Sequence, residues 1–395
     1  MMAVQSYQPS KVSRSTHSDP TETINPSGEI RPASARSFAL PDLPRKVLDP
    51  DGDLTLTVGE TKCVDNPPSN PPSDEHQTAV IYTVCSKALS RVSPVWKALL
   101  YGGFSESKPS SASTASDWVV KLPDDNPRAM ETILNIIHSR FESLPRTTDI
   151  ISLEDLYQLT VLTDKYDLTA ILRPWRSIWM SAAEEKCKSL RFDNCSVTSD
   201  LEQLSWVTWE MGHSSLFQRV SLQLALHCAI DDNGDLQNNT GNEIIPLFSS
   251  TLEPPGHHDQ LKAIRLKNVE KALAVYGDSI TNLLKRKDDS KRVMTCSQIA
   301  LRHVCEPAML GEMISSLSCS GYWPLPAAGD IRKSVRRLVQ DLSCILITSP
   351  LHPGCLGVHD RPRKLNGCLE LPLFHPWPPS ITARMAKQAV KLGIQ

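Results

Sequence analysis

The sequence predicts an α/β (α+β) domain over residues 47–180, a small sheet flanked by helices, followed by a mainly α-helical region. Two kinds of pattern carry that reading. Short β-branched runs near Leu54, Ala79 and Trp118 have the composition and period of half-buried strands. Apolar residues at helical spacing fill the segments between and after them.

Residues 1–46 are rich in Ser, Thr and Pro with few aromatics, so they bury too little apolar surface to offset ordering entropy. A disordered arm is expected there, with its scattered basic residues keeping it solvated. Order is expected from Asp53. Leu54, Leu56 and Val58 alternate with Thr55, Thr57 and Gly59, which is a strand. Pro67, Pro68, Pro71 and Pro72 force a loop. Ala79 to Val84 (AVIYTV) returns as the second strand.

Ser93-Pro94 is an N-cap and first-turn pair, with Val95, Leu99 and Leu100 on one face behind it and Gly102-Gly103 at the end. A Ser-rich loop leads to a third strand at Trp118 to Leu122. Asn126-Pro127 opens a helix whose stripe is Met130, Ile133, Leu134, Ile137 and Phe141. Ser152-x-x-Asp155 forms a capping box before Leu156, Leu159, Leu162 and Tyr166. Leu168, Ile171, Leu172, Trp175 and Trp179 keep the helical period, although Pro174 should kink or break it. The expected order is strand, strand, helix, helix, strand, helix, helix, helix.

Residues 190–347 are expected to be a helical C-terminal region, with helix-spaced apolar positions in Leu201–Met211, Ser215–Cys228, His257–Lys285, Cys296–Ser318 and Asp330–Leu346. Residues 348–395 form a Pro- and His-containing tail ending in a short amphipathic helix, Ile381–Leu392.

The segments "DLTLTV" from Asp53, "VCSKALSRVSPVWKALL" from Val84, "LPDDNPRAM" from Leu122, "IIHSRF" from Ile136 and "LTDKYDLTAILRPW" from Leu162 resemble, in that order, the BTB/POZ domain in its filamentous-fungal form. "WVTWEMG" from Trp206 and "GYWPLP" from Gly321 are loosely similar to the tail that accompanies it. The resemblance implies a protein-docking module. It also implies two places to examine. In family members that recruit a cullin scaffold, a hydrophobic residue, any residue and then Glu follow the helix that starts at Ser-Pro-Val; Phe104 and Glu106 fall there. In zinc-finger relatives an Asp on the first strand pairs with a basic residue after the second. Asp53 matches that Asp, but Ser86 stands at the basic position and Cys85 at the preceding His, so the charged pocket is expected to be absent. A swapped homodimer loses support too, because it would use the N-terminal arm.

Composition narrows the function classes. Net charge is −2, with 40% hydrophobic and 22% charged residues, which gives no general attraction to nucleic acid or an anionic membrane. Eleven cysteines without close spacings, no secretory-type N-terminus and no run of about 20 apolar residues point to an intracellular, reducing compartment, cytoplasm or nucleus. No nucleotide-binding glycine loop, nucleophile elbow or zinc-protease motif occurs. Asp124-Asp125 suits a helix N-cap, and Asp231-Asp232 a turn with Asn233-Gly234. Cys85-Ser86 has no His or carboxylate nearby in the sequence.

His352, Cys355, His359, Cys368 and His375 crowd the tail without the tight pairs of structural zinc, so no metal is expected. Lys285-Arg286-Lys287 with Lys291-Arg292 complements a helix end, or serves nuclear import.

The expectation is therefore a non-enzymatic interaction protein without cofactor, nucleic acid or membrane. Its partners would be other proteins, through self-association or a cullin scaffold as a ubiquitin-ligase adaptor. Phe104 and Glu106 are the candidate contact residues. The alternative for Phe104 is that it folds back onto its own core, with Glu106 merely solvated. Trp96 is a further anchor candidate but reads more readily as core.

Overall fold

The computed structural model describes residues 43–60, 79–110, 118–144, 151–190, 197–240, 243–285, 295–296, 298–345, 361–369 and 379–393. The arm expected at 1–46 lies outside this set up to residue 42.

Alternation of Leu54, Leu56 and Val58 with Thr55 and Thr57 makes strand β2 (Leu54–Val58), whose three aliphatic residues are buried. Strand β3 (Val80–Val84) pairs with it antiparallel, Leu54 opposite Val84 and Val58 opposite Val80. Strand β4 (Val119–Leu122) lies parallel on the other side of β2. A strand missing from the sequence reading, β1 (Arg45–Val47), lies parallel to β3 and gives the order β1-β3-β2-β4. Order thus starts before Asp53 and inside the stretch read as arm. Three residues of "RKV" are too few to show a period.

Helices α1 (Ser86–Val92) and α2 (Pro94–Tyr101) join β3 toward β4. Ser93 caps α2, its Oγ accepting from the Trp96 amide at 2.9 Å. Trp96, not Val95, takes the inward position: it is fully buried and stacks on Tyr166 at 4.6 Å, while Val95 is exposed. Trp96 is therefore core and no docking anchor.

Helix α3 (Pro127–Ile137) starts as expected, with Asn126 Oδ1 accepting from the Ala129 amide at 2.9 Å. It stops short of Phe141, which sits in a 3-10 turn (Phe141–Ser143), exposed and 5.7 Å from the Trp175 ring. Ser139 at φ 60 breaks the helix before that position. Ser152 caps α4 (Leu153–Lys165), as the capping box requires.

Asp167, in the left-handed region at φ 49, turns the chain into a 3-10 segment, Thr169–Leu172. Helix α5 (Arg176–Ser189) follows Pro174 directly. It runs through residue 180, so the sequence-based boundary there falls within a helix.

Beyond it lie α6 (Val197–Glu210), α7 (Ser214–His227), α8 (His257–Leu284), α9 (Arg302–Cys319), α10 (Val335–Ser343), α11 (Arg361–Gly367) and α12 (Pro379–Lys391). Four of the expected helices agree to within a few residues. The Cys296–Ser318 stretch starts its α-helix only at Arg302, after a 3-10 turn (Ile299–Leu301). Asp330–Leu346 is shorter than expected because a 3-10 turn and extended residues precede Ser334, the cap of α10.

Beyond β1, a helix and a second sheet were not foreseen. Helix α11 lies inside the segment read as loop. Strands β5 (Ala229–Ile230), β6 (Leu236–Thr240) and β7 (Glu243–Pro246) form a second antiparallel sheet. The Asp231–Gly234 turn is in fact the hairpin between β5 and β6: Asp231 Oδ1 accepts from the amides of Asn233 and Asp235, and Gly234 takes φ 81.

The architecture is thus mixed α/β, mainly helical, with small sheets flanked by helices. Residues from Leu43 onward form one compact unit. Helix α4 packs on α6, and Tyr157 on α4 accepts from the Leu252 amide at 2.9 Å, so a shared core joins the two regions. No helix among the described residues is long and apolar enough to cross a membrane.

Candidate protein-docking site

Helix α2 ends at Gly102, and Gly103 reverses the chain at φ 83, a conformation that favours glycine. The next four residues form a turn closed by one hydroxyl. Ser107 Oγ accepts from the amides of Gly103 at 3.0 Å and Phe104 at 2.9 Å, and donates to the Leu99 carbonyl at 3.0 Å. The Ser107 amide returns to the Phe104 carbonyl, and the Lys108 amide to that of Leu100. Trp118, buried at the start of β4, donates through Nε1 to the Glu106 carbonyl at 2.8 Å.

This scaffold holds Phe104 outward at 60% exposure; the ring does not fold back onto the core. Holding a large apolar ring in water on a fixed backbone lowers the ordering cost of later contact. Glu106 lies beside it as an anion. The Ser105 hydroxyl donates to Oε2 at 2.7 Å and keeps that carboxyl below its usual range. The two sequence candidates therefore share one turn.

The sequence reading missed Ser107, although a serine three residues after Phe104 is at turn-closing spacing. Ser107→Ala is expected to open the exposed Gly103 and Phe104 amides by the equivalent of about 0.5–1.5 kcal/mol. Residue-resolved hydrogen exchange reads this, and the global denaturation midpoint should stay put.

Asp53 is not left without a cation, contrary to the expectation drawn from Ser86. Lys108 Nζ donates to Asp53 Oδ2 at 2.9 Å and lies 5.5 Å from the Trp118 ring centre. Ser86 donates to the same carboxylate through its amide and its hydroxyl. Burial opposes ionisation of Asp53, but the donors from Lys108 and Ser86 outweigh it and hold the carboxyl below its usual range. The cation comes from fifty-five residues away in sequence, beyond any local pattern.

The fold also brings a His and a carboxylate to Cys85-Ser86, which the sequence reading did not expect. His138 Nε2 accepts from the Cys85 amide at 3.0 Å, and its Nδ1 faces the Leu134 carbonyl at 2.9 Å. Both ring nitrogens are occupied, Nδ1 as donor and Nε2 as acceptor, so the ring has no lone pair left for a base. The Ser86 hydroxyl is buried between Asp53 and Tyr101. The constellation positions the start of α1.

Asp125 is no helix cap either, since Asn126 takes that role. Its carboxylate is buried and accepts from Lys165 Nζ at 2.6 Å and from the Tyr166 hydroxyl.

Among the described residues no group of three or more His, Cys, Asp or Glu could hold a metal ion. His352, Cys355, His359 and His375 lie outside them, as do Arg286, Lys287, Lys291 and Arg292 of the basic cluster. Cys368 is buried, its thiol directed at the Lys364 carbonyl.

Compared with known proteins, the chain matches no family model and no curated protein.

Proposed function

We propose that this chain is an intracellular protein–protein interaction module of the BTB/POZ kind, a scaffold or oligomerisation protein without catalytic activity of its own. The observation that supports it best is the Phe104 turn: an exposed aromatic ring on a backbone fixed by Ser107 and Trp118. Aromatic residues that enter a partner's groove in this way supply hot spots of about 2 kcal/mol or more, and a rim carboxylate tunes register and on-rate. The order of elements from β2 to α5 agrees with the five segments that resemble the family.

A second reading is favoured by the same turn. Phe104 and Glu106 follow the helix that opens at Ser93-Pro94-Val95, the place where cullin-recruiting members carry their hydrophobic-x-Glu contact. Under that reading the chain is a substrate adaptor of a cullin-type ubiquitin ligase, and the helices beyond α5 hold the substrate.

The test is affinity capture from the source organism with wild-type bait and with Phe104→Ala/Glu106→Ala. The double variant should lose its partner by about thirtyfold or more, which corresponds to about 2 kcal/mol, while its melting temperature is unchanged. Recovery of the same partners at the same level would remove the turn as the contact. A cullin among the lost partners selects the adaptor reading, and its absence from wild-type captures rejects that reading.

A further inference from the structure

Between Glu75 and Glu106 the chain carries no Asp or Glu, and its only Lys or Arg residues are Lys87, Arg91 and Lys97. All three are exposed on α1 and α2, and none forms a side-chain ion pair with a described residue. This stretch of surface is therefore purely cationic.

It is also apolar. In α2, six of the eight residues are hydrophobic and only Lys97 is charged. A helix that is apolar on nearly every side belongs in an interior, yet α2 buries one side only. Trp96 and Leu100 enter the core, while Val95 and Tyr101 keep 38% and 43% exposure and Ala98 is exposed between them. Val92 is exposed at the end of α1. Phe104 prolongs the stripe beyond α2: a Cβ on Gly102 would meet its ring at 3.1 Å.

The face is fixed in place. The Tyr101 and Ser86 hydroxyls share a hydrogen bond of 2.6 Å that ties the end of α2 to the start of α1. The Tyr101 ring packs edge-on to Trp118 at 6.0 Å. Little ordering is left to be done when something lands on it.

We propose that the α1–α2 face takes an acidic amphipathic helix of another protein. The apolar stripe of that helix covers Val95, Ala98 and Tyr101, and its carboxylates meet Lys87, Arg91 and Lys97. The inference rests on the docking reading above and adds the chemistry of the partner.

Charge argues against the simplest alternative, a second copy of this chain. A two-fold contact sets one patch against itself. Here it would bring three cations against three, with no carboxylate from α1 or α2 to meet them. A partner strand fits no better, because helices spend their backbone donors internally and offer side chains alone. Such a surface suits a helix with apolar anchors three and four residues apart.

The probe is a displayed library of random peptides about 15 residues long, enough for a marginal helix, selected on the full chain at low salt. Binders should be net acidic with helix-spaced apolar residues, and should weaken as salt rises. Lys87→Glu/Arg91→Glu/Lys97→Glu should weaken them by about tenfold or more at an unchanged melting temperature. If that variant is less stable, Val95→Asp carries the test with the same expected loss. An empty selection, neutral or basic binders, or equal binding by these variants would overturn the proposal. So would a dimer in light scattering that Val95→Asp dissociates, or tighter binding to phosphatidylserine vesicles or single-stranded DNA than to any selected peptide.

The Phe104 turn fails separately. If the triple variant loses the acidic peptides and Phe104→Ala/Glu106→Ala keeps them, this face stands and the turn is not the contact. If only the Phe104 variant loses them, the turn stands and this face falls.

Discussion

Trp96→Ala is expected to lose about 3–5 kcal/mol of unfolding free energy, the usual cost of truncating a buried aromatic. Trp96 is fully buried, and its ring lies 4.6 Å from Tyr166 at an interplanar angle of 15°. The same Tyr166 is held twice more: its hydroxyl donates to buried Asp125, and its carbonyl accepts from Ser93 Oγ at 2.6 Å. One indole therefore joins α2 to the end of α4, and the cavity it leaves has rigid walls. Urea denaturation followed by far-UV circular dichroism measures the loss. Phe104→Ala, on an exposed turn three residues past the end of α2, should stay within about 0.5 kcal/mol. A Trp96→Ala loss below 1 kcal/mol would show that the site collapses around the gap and that the α2–α4 contact is not a keystone.

Arg265→Ala should cost about 3 kcal/mol. Arg265, on α8, is buried, and Nη2 donates to the Ile331 carbonyl at 2.5 Å and the Lys333 carbonyl at 2.9 Å. Burial pushes its guanidinium below the usual value. What it supplies is donors to two carbonyls of an extended segment that is itself laid against β5, where the Ile230 amide meets the Arg332 carbonyl at 2.9 Å. Alanine leaves both carbonyls dry and unpaired. Arg265→Met should recover part of the loss by restoring volume and removing a desolvated charge. Denaturation midpoints and the exchange of amides 330–333 read the effect. Equal stability of Arg265→Ala and wild type would mean that water replaces the guanidinium.

These residues mark how far the sequence could be read. Local signals were legible: Ser93, Asn126 and Ser152 each cap the helix that their neighbours announce, and the Leu54–Val58 alternation buries the side it should. Phe104 and Glu106 were singled out by the family resemblance, and the fold places both on one short turn after α2. What failed was long-range or too short to show a period. The cation for Asp53 comes from Lys108, and the pairing of Asp125 with Tyr166 spans forty-one residues. Strand β1 and the sheet β5-β6-β7 consist of pieces of two to five residues, several of them polar. Phe141 kept the helical period but lost the helix to a left-handed Ser139. The hydrogen-bonded Glu210 and Gln388, 178 residues apart, carry no mutual signal at all.

The unbroken run of α5 through residue 180, with α4 lodged against α6, has a mechanical meaning. There is no joint at 180 on which the distal helices could swing. Under the docking reading proposed above, a partner held at the Phe104 knuckle would stand at a set distance from the helices that follow α5.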